Sequence, residues 1–125
     1  MAQKILVVDD SVTIRQQVGS ALSQAGFEII EAADGQEGLS KINANPDLLM
    51  VITDVNMPHM NGLEMLEKLK ANPKHSKLIV FMLTTEGQPE LIQRARSLGA
   101  KGWIVKPFKP EFLVATAAKL APLGS

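Results

Sequence analysis

The stretch Ile5-Leu6-Val7-Val8-Asp9-Asp10-Ser11 decides the fold of this chain. Four apolar residues run without interruption into a pair of carboxylates. An unbroken apolar run of strand length is typical of a strand covered on both faces, whereas a half-exposed strand alternates apolar and polar residues. The stretch therefore predicts a buried parallel strand that carries two aspartates at its carboxyl end.

Four further apolar runs follow at intervals, with helical patterns between them. The five predicted strands are residues 5–8, 27–30, 48–52, 78–83 and 103–105. Ile14 and Val18 begin the apolar stripe of a first helix, and Asp34 can cap a second. Pro89 and Pro110 suit the first turns of the fourth and fifth helices. This alternation predicts an α/β fold, a (βα)5 doubly wound parallel five-stranded sheet with helices on both faces.

Length and composition limit the function classes. The 125 residues suffice for one domain, which we assign to residues 1–122, with residues 123–125 as a C-terminal tail. Thirteen basic and thirteen acidic side chains give zero net charge, which predicts no nucleic-acid partner and no binding to an anionic membrane. The absence of cysteine excludes disulfides and thiolate chemistry. The N-terminal apolar run is too short for a signal peptide or a membrane span, which predicts a cytoplasmic protein.

Polar side chains stand directly after four of the predicted strands. Asp9 and Asp10 follow the first strand and Asp54 follows the third. Thr84 ends the fourth strand, and Lys106 follows the fifth. In open α/β sheets, ligands bind beyond the carboxyl ends of the strands, where the strand order reverses. If the first and third strands are neighbours, three carboxylates meet at one edge of the sheet.

Three adjacent carboxylates need a positive partner. Two of them ~5 Å apart repel by roughly 3 kcal/mol at an effective dielectric constant of ~20. With oxygen ligands only and no histidine at a strand end, Mg²⁺ fits such a site better than zinc. Lys106 can add an ammonium and Thr84 a hydroxyl donor, and phosphoryl transfer needs both kinds of group. We therefore predict Asp54, the lone carboxylate of the central strand, as the nucleophile, and Asp9 and Asp10 as metal ligands.

These residues resemble the receiver domain of bacterial response regulators, and in particular its stand-alone CheY-like members. The likeness covers essentially the whole chain, and its motifs come in the family's order and at its usual separations. Besides the first stretch, the motifs are Asp54-Val55-Asn56-Met57-Pro58-His59-Met60-Asn61-Gly62, Leu83-Thr84-Thr85 and Lys106-Pro107-Phe108.

The resemblance implies a flavodoxin-like strand order, 2-1-3-4-5, and a role for each site residue. Asp54 is expected to accept a phosphoryl group from a phosphohistidine of a sensor histidine kinase. Asp10, Asp54 and the backbone carbonyl of Asn56 are expected to bind Mg²⁺, with Asp9 acting through water. Lys106 is expected to contact the phosphoryl oxygens, and the peptide bond that joins it to Pro107 is often cis in this family.

The resemblance also implies a switch. Thr84 is expected to contact the phosphoryl group and move inward, which lets the aromatic residue at position 103 move from an exposed to a buried place. That residue is Trp103 here, where Tyr or Phe is usual, and its larger ring needs more room. Asn56 and Glu86 occupy the positions that tune hydrolysis. The face formed by the fourth helix, fifth strand and fifth helix is expected to bind a downstream protein.

The leading hypothesis is thus a phosphorylation-activated receiver of two-component signalling, monomeric and acting in chemotaxis or motility, that catalyses only its own phosphotransfer and dephosphorylation. The first alternative is an Mg²⁺-dependent hydrolase of small phosphomonoesters that forms an aspartyl phosphate. The second is a nucleotide or flavin carrier, although Asp9 and Asp10 place negative charge where its phosphate would lie. Two simpler interpretations remain open. Trp103 can serve only to pack the core, and Glu86 can be a solvated charge in a loop.

Overall fold

The computed structural model of this chain describes residues 3–121, and within them it has five strands and five α-helices. The strands are β1 (Lys4–Val8), β2 (Glu28–Ala32), β3 (Leu48–Thr53), β4 (Ile79–Thr84) and β5 (Gly102–Val105). The helices are α1 (Val12–Gln24), α2 (Gly35–Ala44), α3 (Gly62–Ala71), α4 (Pro89–Ser97) and α5 (Pro110–Leu120). The predicted tail at 123–125 and the last residue of the predicted domain lie outside the described residues.

The strands form one parallel sheet in the order β2-β1-β3-β4-β5, which confirms the predicted α/β class and topology. Val8 lies opposite Thr53, which in turn lies opposite Met82. Thr84 lies opposite Val105. The carboxyl ends of the strands are therefore aligned at one edge, and the strand order reverses between β1 and β3.

Alternate residues of the buried strands pack on the two sides of the sheet. On β1, Leu6 and Val8 join a core layer with α2, α3 and α4, whereas Ile5 and Val7 join a second layer with α1 and α5. All four are at most 1% exposed. Because each such side chain contributes about 1.5–3 kcal/mol when buried, both layers hold the strands in register. None of the helices between residues 3 and 121 combines the length and apolar character that crossing a bilayer requires.

Three of the five α-helices begin at a residue whose side chain accepts from an N–H group of the first turn. Ser11 caps α1, and Asp34 caps α2 as the sequence predicts. Asn61 caps α3 in a reciprocal capping box. Pro89 and Pro110 occupy the first turns of α4 and α5, again as predicted. The three side-chain caps and the two prolines mark where the loops at the carboxyl edge of the sheet end.

The edge strand β2 differs from the sequence prediction, which placed it at residues 27–30. The strand extends to Ala32 and includes the exposed residue Glu31. A charged residue is tolerated there because β2 has a sheet neighbour on one side only. Glu31 pairs with the Arg15 guanidinium of α1, whose Nε lies 3.0 Å from its carboxylate.

Candidate functional site

Backbone hydrogen bonds place two aspartates side by side at the carboxyl edge of the sheet. The Asp9 N–H donates to the Ala32 carbonyl and the Asp54 N–H donates to the Val8 carbonyl, each over 3.0 Å. These bonds continue the parallel pairing one residue beyond β1 and β3. The positions of both carboxylates are therefore set by the sheet and not by a mobile loop.

Asp9, Asp10 and Asp54 form the predicted acidic cluster. A carboxylate oxygen from each lies within 4.8 Å of those of the other two. Asp9 is 2% and Asp54 8% exposed, whereas Asp10 is open to solvent. The N–H groups of Ser11 and Val55 donate to the Asp9 and Asp54 carboxylates over 2.9 and 2.7 Å. Local backbone donors thus orient both buried carboxylates.

Lys106 joins the two buried carboxylates. Its Nζ donates to Oδ2 of Asp9 over 2.7 Å and to Oδ2 of Asp54 over 3.1 Å. The backbone N–H of Lys106 donates to the Thr84 carbonyl over 2.8 Å, so the residue still pairs with β4. The peptide bond between Lys106 and Pro107 is cis. The ammonium reaches the cluster from β5, across the end of β4.

Burial decides how these charges behave. Desolvation raises the pKa of the Asp9 carboxyl above its ordinary value, and the hydrogen bonds from Lys106 and Ser11 offset this only in part. Desolvation alone would lower the pKa of Lys106, but its hydrogen bond to Asp9 and the charges of Asp54 and Asp9 outweigh it and raise the pKa. The Lys106 ammonium is therefore held charged beside the acidic cluster.

The donor set fits a hard divalent cation. The cluster offers carboxylate oxygens only, which are the ligands that Mg²⁺ prefers. The Asp10 carboxylate faces solvent and takes part in no hydrogen bond among residues 3–121, so an ion can reach it. One ammonium beside three carboxylates leaves uncompensated charge that a divalent cation would offset.

A second group of predicted residues forms a hydrogen-bonded network beside the cluster. Thr84 is fully buried, and its hydroxyl oxygen accepts from the Glu86 N–H over 3.2 Å. The Glu86 carboxylate accepts from the side-chain amide of Asn56, and the Glu86 carbonyl accepts from the indole N–H of Trp103 over 2.8 Å. The structure thus brings Asn56, Thr84, Glu86 and Trp103 together through residue 86. The bonds of this network connect Thr84 to the β4–α4 loop and not to the Asp9, Asp10 and Asp54 cluster.

Sequence reasoning missed Arg15 and gave Gly62 no role of its own. The Arg15 guanidinium donates to the Asp9 carbonyl over 2.5 Å and so supports the backbone of the cluster. A Cβ on Gly62 would lie 2.0 Å from the Asp54 carbonyl oxygen, so only glycine allows α3 to begin there. The glycine that follows Asn61 was a usable signal, whereas no local pattern reveals which carbonyl an arginine reaches.

Comparison with known proteins decides the family. The model of the response regulator receiver domain matches residues 5–118. The chain belongs to the response regulator receiver family. Receiver domains bind Mg²⁺ at an acidic pocket, and this chain has an acidic cluster of Asp9, Asp10 and Asp54 at the carboxyl edge of its sheet.

Several of the similar proteins are chemotaxis proteins, and this chain covers most of their length. Chemotaxis protein CheY1 of Helicobacter pylori is 42% identical over 111 residues, which are 88% of this chain and 90% of the relative. The structure of chemotaxis protein CheY4 of Vibrio cholerae superposes with a TM-score of 0.90 at 42% identity, covering 96% of this receiver and 99% of that protein. A CheY of Borrelia burgdorferi, solved in a CheX–CheY–BeF₃–Mg²⁺ complex, has a TM-score of 0.89 at 30% identity and coverages of 94% and 88%.

Proposed function

We propose that this receiver accepts a phosphoryl group on Asp54 from a phosphohistidine of a sensor histidine kinase. The observation that carries the proposal is the buried ion pair in which Lys106 joins the carboxylates of Asp9 and Asp54 at the carboxyl edge of the sheet. Burying charges is costly, and buried ionisable groups with shifted pKa values cluster at functional sites. The family match over residues 5–118 supports the same reaction.

The chemistry follows from the groups at the edge. A carboxylate oxygen of Asp54 forms the new P–O bond while the P–N bond of the phosphohistidine breaks, and the leaving imidazole takes a proton from solvent. The Lys106 ammonium, which already lies 3.1 Å from Asp54, pairs with the oxygens of the new acyl phosphate. Bound by Asp9, Asp10, Asp54 and the carbonyl of Asn56, Mg²⁺ would supply the charge that offsets the phosphoryl oxygens.

The buried hydroxyl of Thr84 connects the phosphoryl group to the rest of the molecule. Its oxygen accepts from the Glu86 N–H, so its proton remains available to donate to a phosphoryl oxygen. A dianion that binds one arrangement of Thr84 and the β4–α4 loop better than another shifts the equilibrium between them. We propose that this shift alters the face of α4, β5 and α5, where Val105 and Phe112 are 48% and 58% exposed.

The proposed partners follow from the relatives. The curated relatives are chemotaxis proteins, and one structural neighbour is a CheY in complex with CheX. We propose that this receiver acts in chemotaxis or motility, as a monomer in the cytoplasm, and binds a protein target on the α4-β5-α5 face and no nucleic acid. We also propose that residues 1–122 form this single domain and that the receiver dephosphorylates itself. The alternative phosphomonoester hydrolase is not favoured, because the family match extends over residues 5–118.

Labelling with acetyl [³²P]phosphate tests the acceptor. With Mg²⁺ present, we expect the wild-type chain to take up acid-stable, hydroxylamine-labile label and Asp54→Asn to take up none. Asp47→Asn is the matched control, because Asp47 also pairs with a lysine but lies at the opposite end of the sheet. Undiminished labelling of Asp54→Asn would exclude Asp54 as the acceptor. Repeated turnover of p-nitrophenyl phosphate would favour the hydrolase instead.

A further inference from the structure

We propose that the indole N–H of Trp103 is a positioning group that sets the lifetime of the phosphorylated receiver. It holds the backbone of Glu86, so that the Glu86 carboxylate stays paired with Asn56 beside the acidic cluster. The inference rests on the proposed phosphorylation of Asp54 and adds a residue that acts on the reaction from β5, without contact to the reacting atoms.

The first step of the argument is that residue 86 is held at both of its backbone polar groups. Its carbonyl accepts from Trp103 Nε1 over 2.8 Å, and its N–H donates to the Thr84 hydroxyl over 3.2 Å. The Trp103 ring is itself anchored, since it is partly buried against the core layer of α2, α3 and α4 and its backbone pairs with Met82. The β4–α4 loop is therefore attached to the sheet at a defined position.

The second step concerns the side chain of Glu86. Its carboxylate accepts from the amide of Asn56, which lies two residues beyond Asp54 in the loop after β3. This bond joins the loop after β3, which begins at Asp54, to the loop after β4. In our proposal, this joined pair is the element that restricts the approach of water to a phosphoryl group on Asp54. A hydrogen bond between exposed side chains persists only when their backbones are well placed, and Trp103 places one of them.

The third step is that the effect depends on one donor atom. Tryptophan has a single N–H donor, and here it is used for the Glu86 carbonyl. Phenylalanine at this position would keep an aromatic ring but would have no donor. Losing the bond frees the β4–α4 loop, opens the Asn56–Glu86 pair and admits water, so hydrolysis of the acyl phosphate becomes faster.

A single-atom replacement tests this inference. The chain contains one tryptophan, so growth of a tryptophan auxotroph on β-(3-benzothienyl)alanine changes position 103 alone, with sulfur in place of the N–H and the ring shape retained. Both proteins are labelled with acetyl [³²P]phosphate, and the unreacted acetyl phosphate is then removed. The loss of label from each protein is followed over time in the presence of Mg²⁺. We expect the analogue protein to lose label about fivefold faster, the factor expected for one hydrogen bond. Trp103→Phe should change the rate in the same direction.

The Glu86→Ala background separates positioning from a general structural effect. It keeps the backbone carbonyl of residue 86 and removes the pair with Asn56, so there the analogue should give no further acceleration. An unchanged rate in the wild-type background, or an equal acceleration in both backgrounds, overturns the inference alone. Absence of label from the wild-type and analogue proteins alike overturns the proposed function, and the inference with it.

Discussion

Two lysines lie at opposite ends of the sheet, and each is placed between two carboxylates. At the amino end, Lys4 lies 2.9 Å from Asp47 and 4.0 Å from a second carboxylate on β2. At the carboxyl end, Lys106 lies 2.7 Å from Asp9 and 3.1 Å from Asp54. The Asp47 side chain is 63% exposed, whereas those of Asp9 and Asp54 are 3% and 11% exposed. Similar charges at similar distances therefore differ mainly in their access to water.

This difference separates a surface ion pair from a reactive site. Around Lys4, the solvent screens the charges, and such pairs contribute little to stability. Around Lys106, the carboxylates are largely shielded from water. The free-energy cost of burying each charge is therefore offset mainly by its charged partner. The pKa directions show this. The hydrogen bond from Lys4 lowers the pKa of Asp47, whereas desolvation raises the pKa of Asp9.

The largest difference between the two ends of the sheet should be the loss of stability when each lysine is replaced. We expect Lys106→Met to lower the free energy of unfolding by about 2–3 kcal/mol at neutral pH without divalent cations, because it leaves Asp9 and Asp54 buried without their cation. Lys4→Met is the matched control and should not measurably shift the urea midpoint. Urea unfolding followed by circular dichroism measures both. Equal shifts in the two variants would show that burial does not distinguish the two ends.

Magnesium should act at one end only. At ten times its dissociation constant, Mg²⁺ should add about 1.4 kcal/mol, which raises the melting temperature by roughly 5 °C in a domain of this size. Asp10→Ala should lose this gain, because Asp10 supplies the solvent-facing carboxylate of the cluster. Glu28→Ala, at the Lys4 end, should retain it. Differential scanning calorimetry with and without EDTA provides the measurement, and a full gain in Asp10→Ala would contradict the metal assignment.

The smallest expected effect is the opposite titration of two aspartates. In EDTA, the Asp47 carboxyl should titrate below the ordinary value of 3.8 and Asp9 above it. The Asp47 charge adds stability above its unfolded pKa, and this is lost as the pH falls through its folded pKa. Asp9 behaves in the opposite sense, since its deprotonation removes stability as the pH rises through its folded pKa. Carboxyl ¹³C chemical shifts followed over pH measure both values, and parallel titration of the two residues would refute the contrast.

The acidic cluster was predicted from two general rules together with the strand order that the family resemblance implies. The unbroken run of residues 5–8 indicated a buried parallel strand, and the carboxyl ends of neighbouring parallel strands meet at one edge. Asp9, Asp10 and Asp54 come directly after such strands, so their proximity followed once β1 and β3 were neighbours. That neighbour relation, together with the full strand order, came from the family resemblance and not from the apolar pattern.

The contacts made by long side chains could not be predicted in the same way. The Trp103 indole reaches the carbonyl of residue 86, and the Arg15 guanidinium reaches the Asp9 carbonyl. Both bonds depend on rotamers and on loop geometry, which local periodicity does not encode. The true end of β2 was missed for a related reason. Glu31 interrupts the apolar pattern, and only the place of β2 at the sheet edge makes that charge acceptable.

The close approach of Gly62 to Asp54 has a mechanical consequence. The first residue of α3 donates its N–H to the Val55 carbonyl over 2.9 Å and leaves no room for a methyl group beside the Asp54 carbonyl. No flexible side chain lies between them to absorb a displacement. A displacement of the first turn of α3 toward β3 would therefore press directly on the main chain of Asp54.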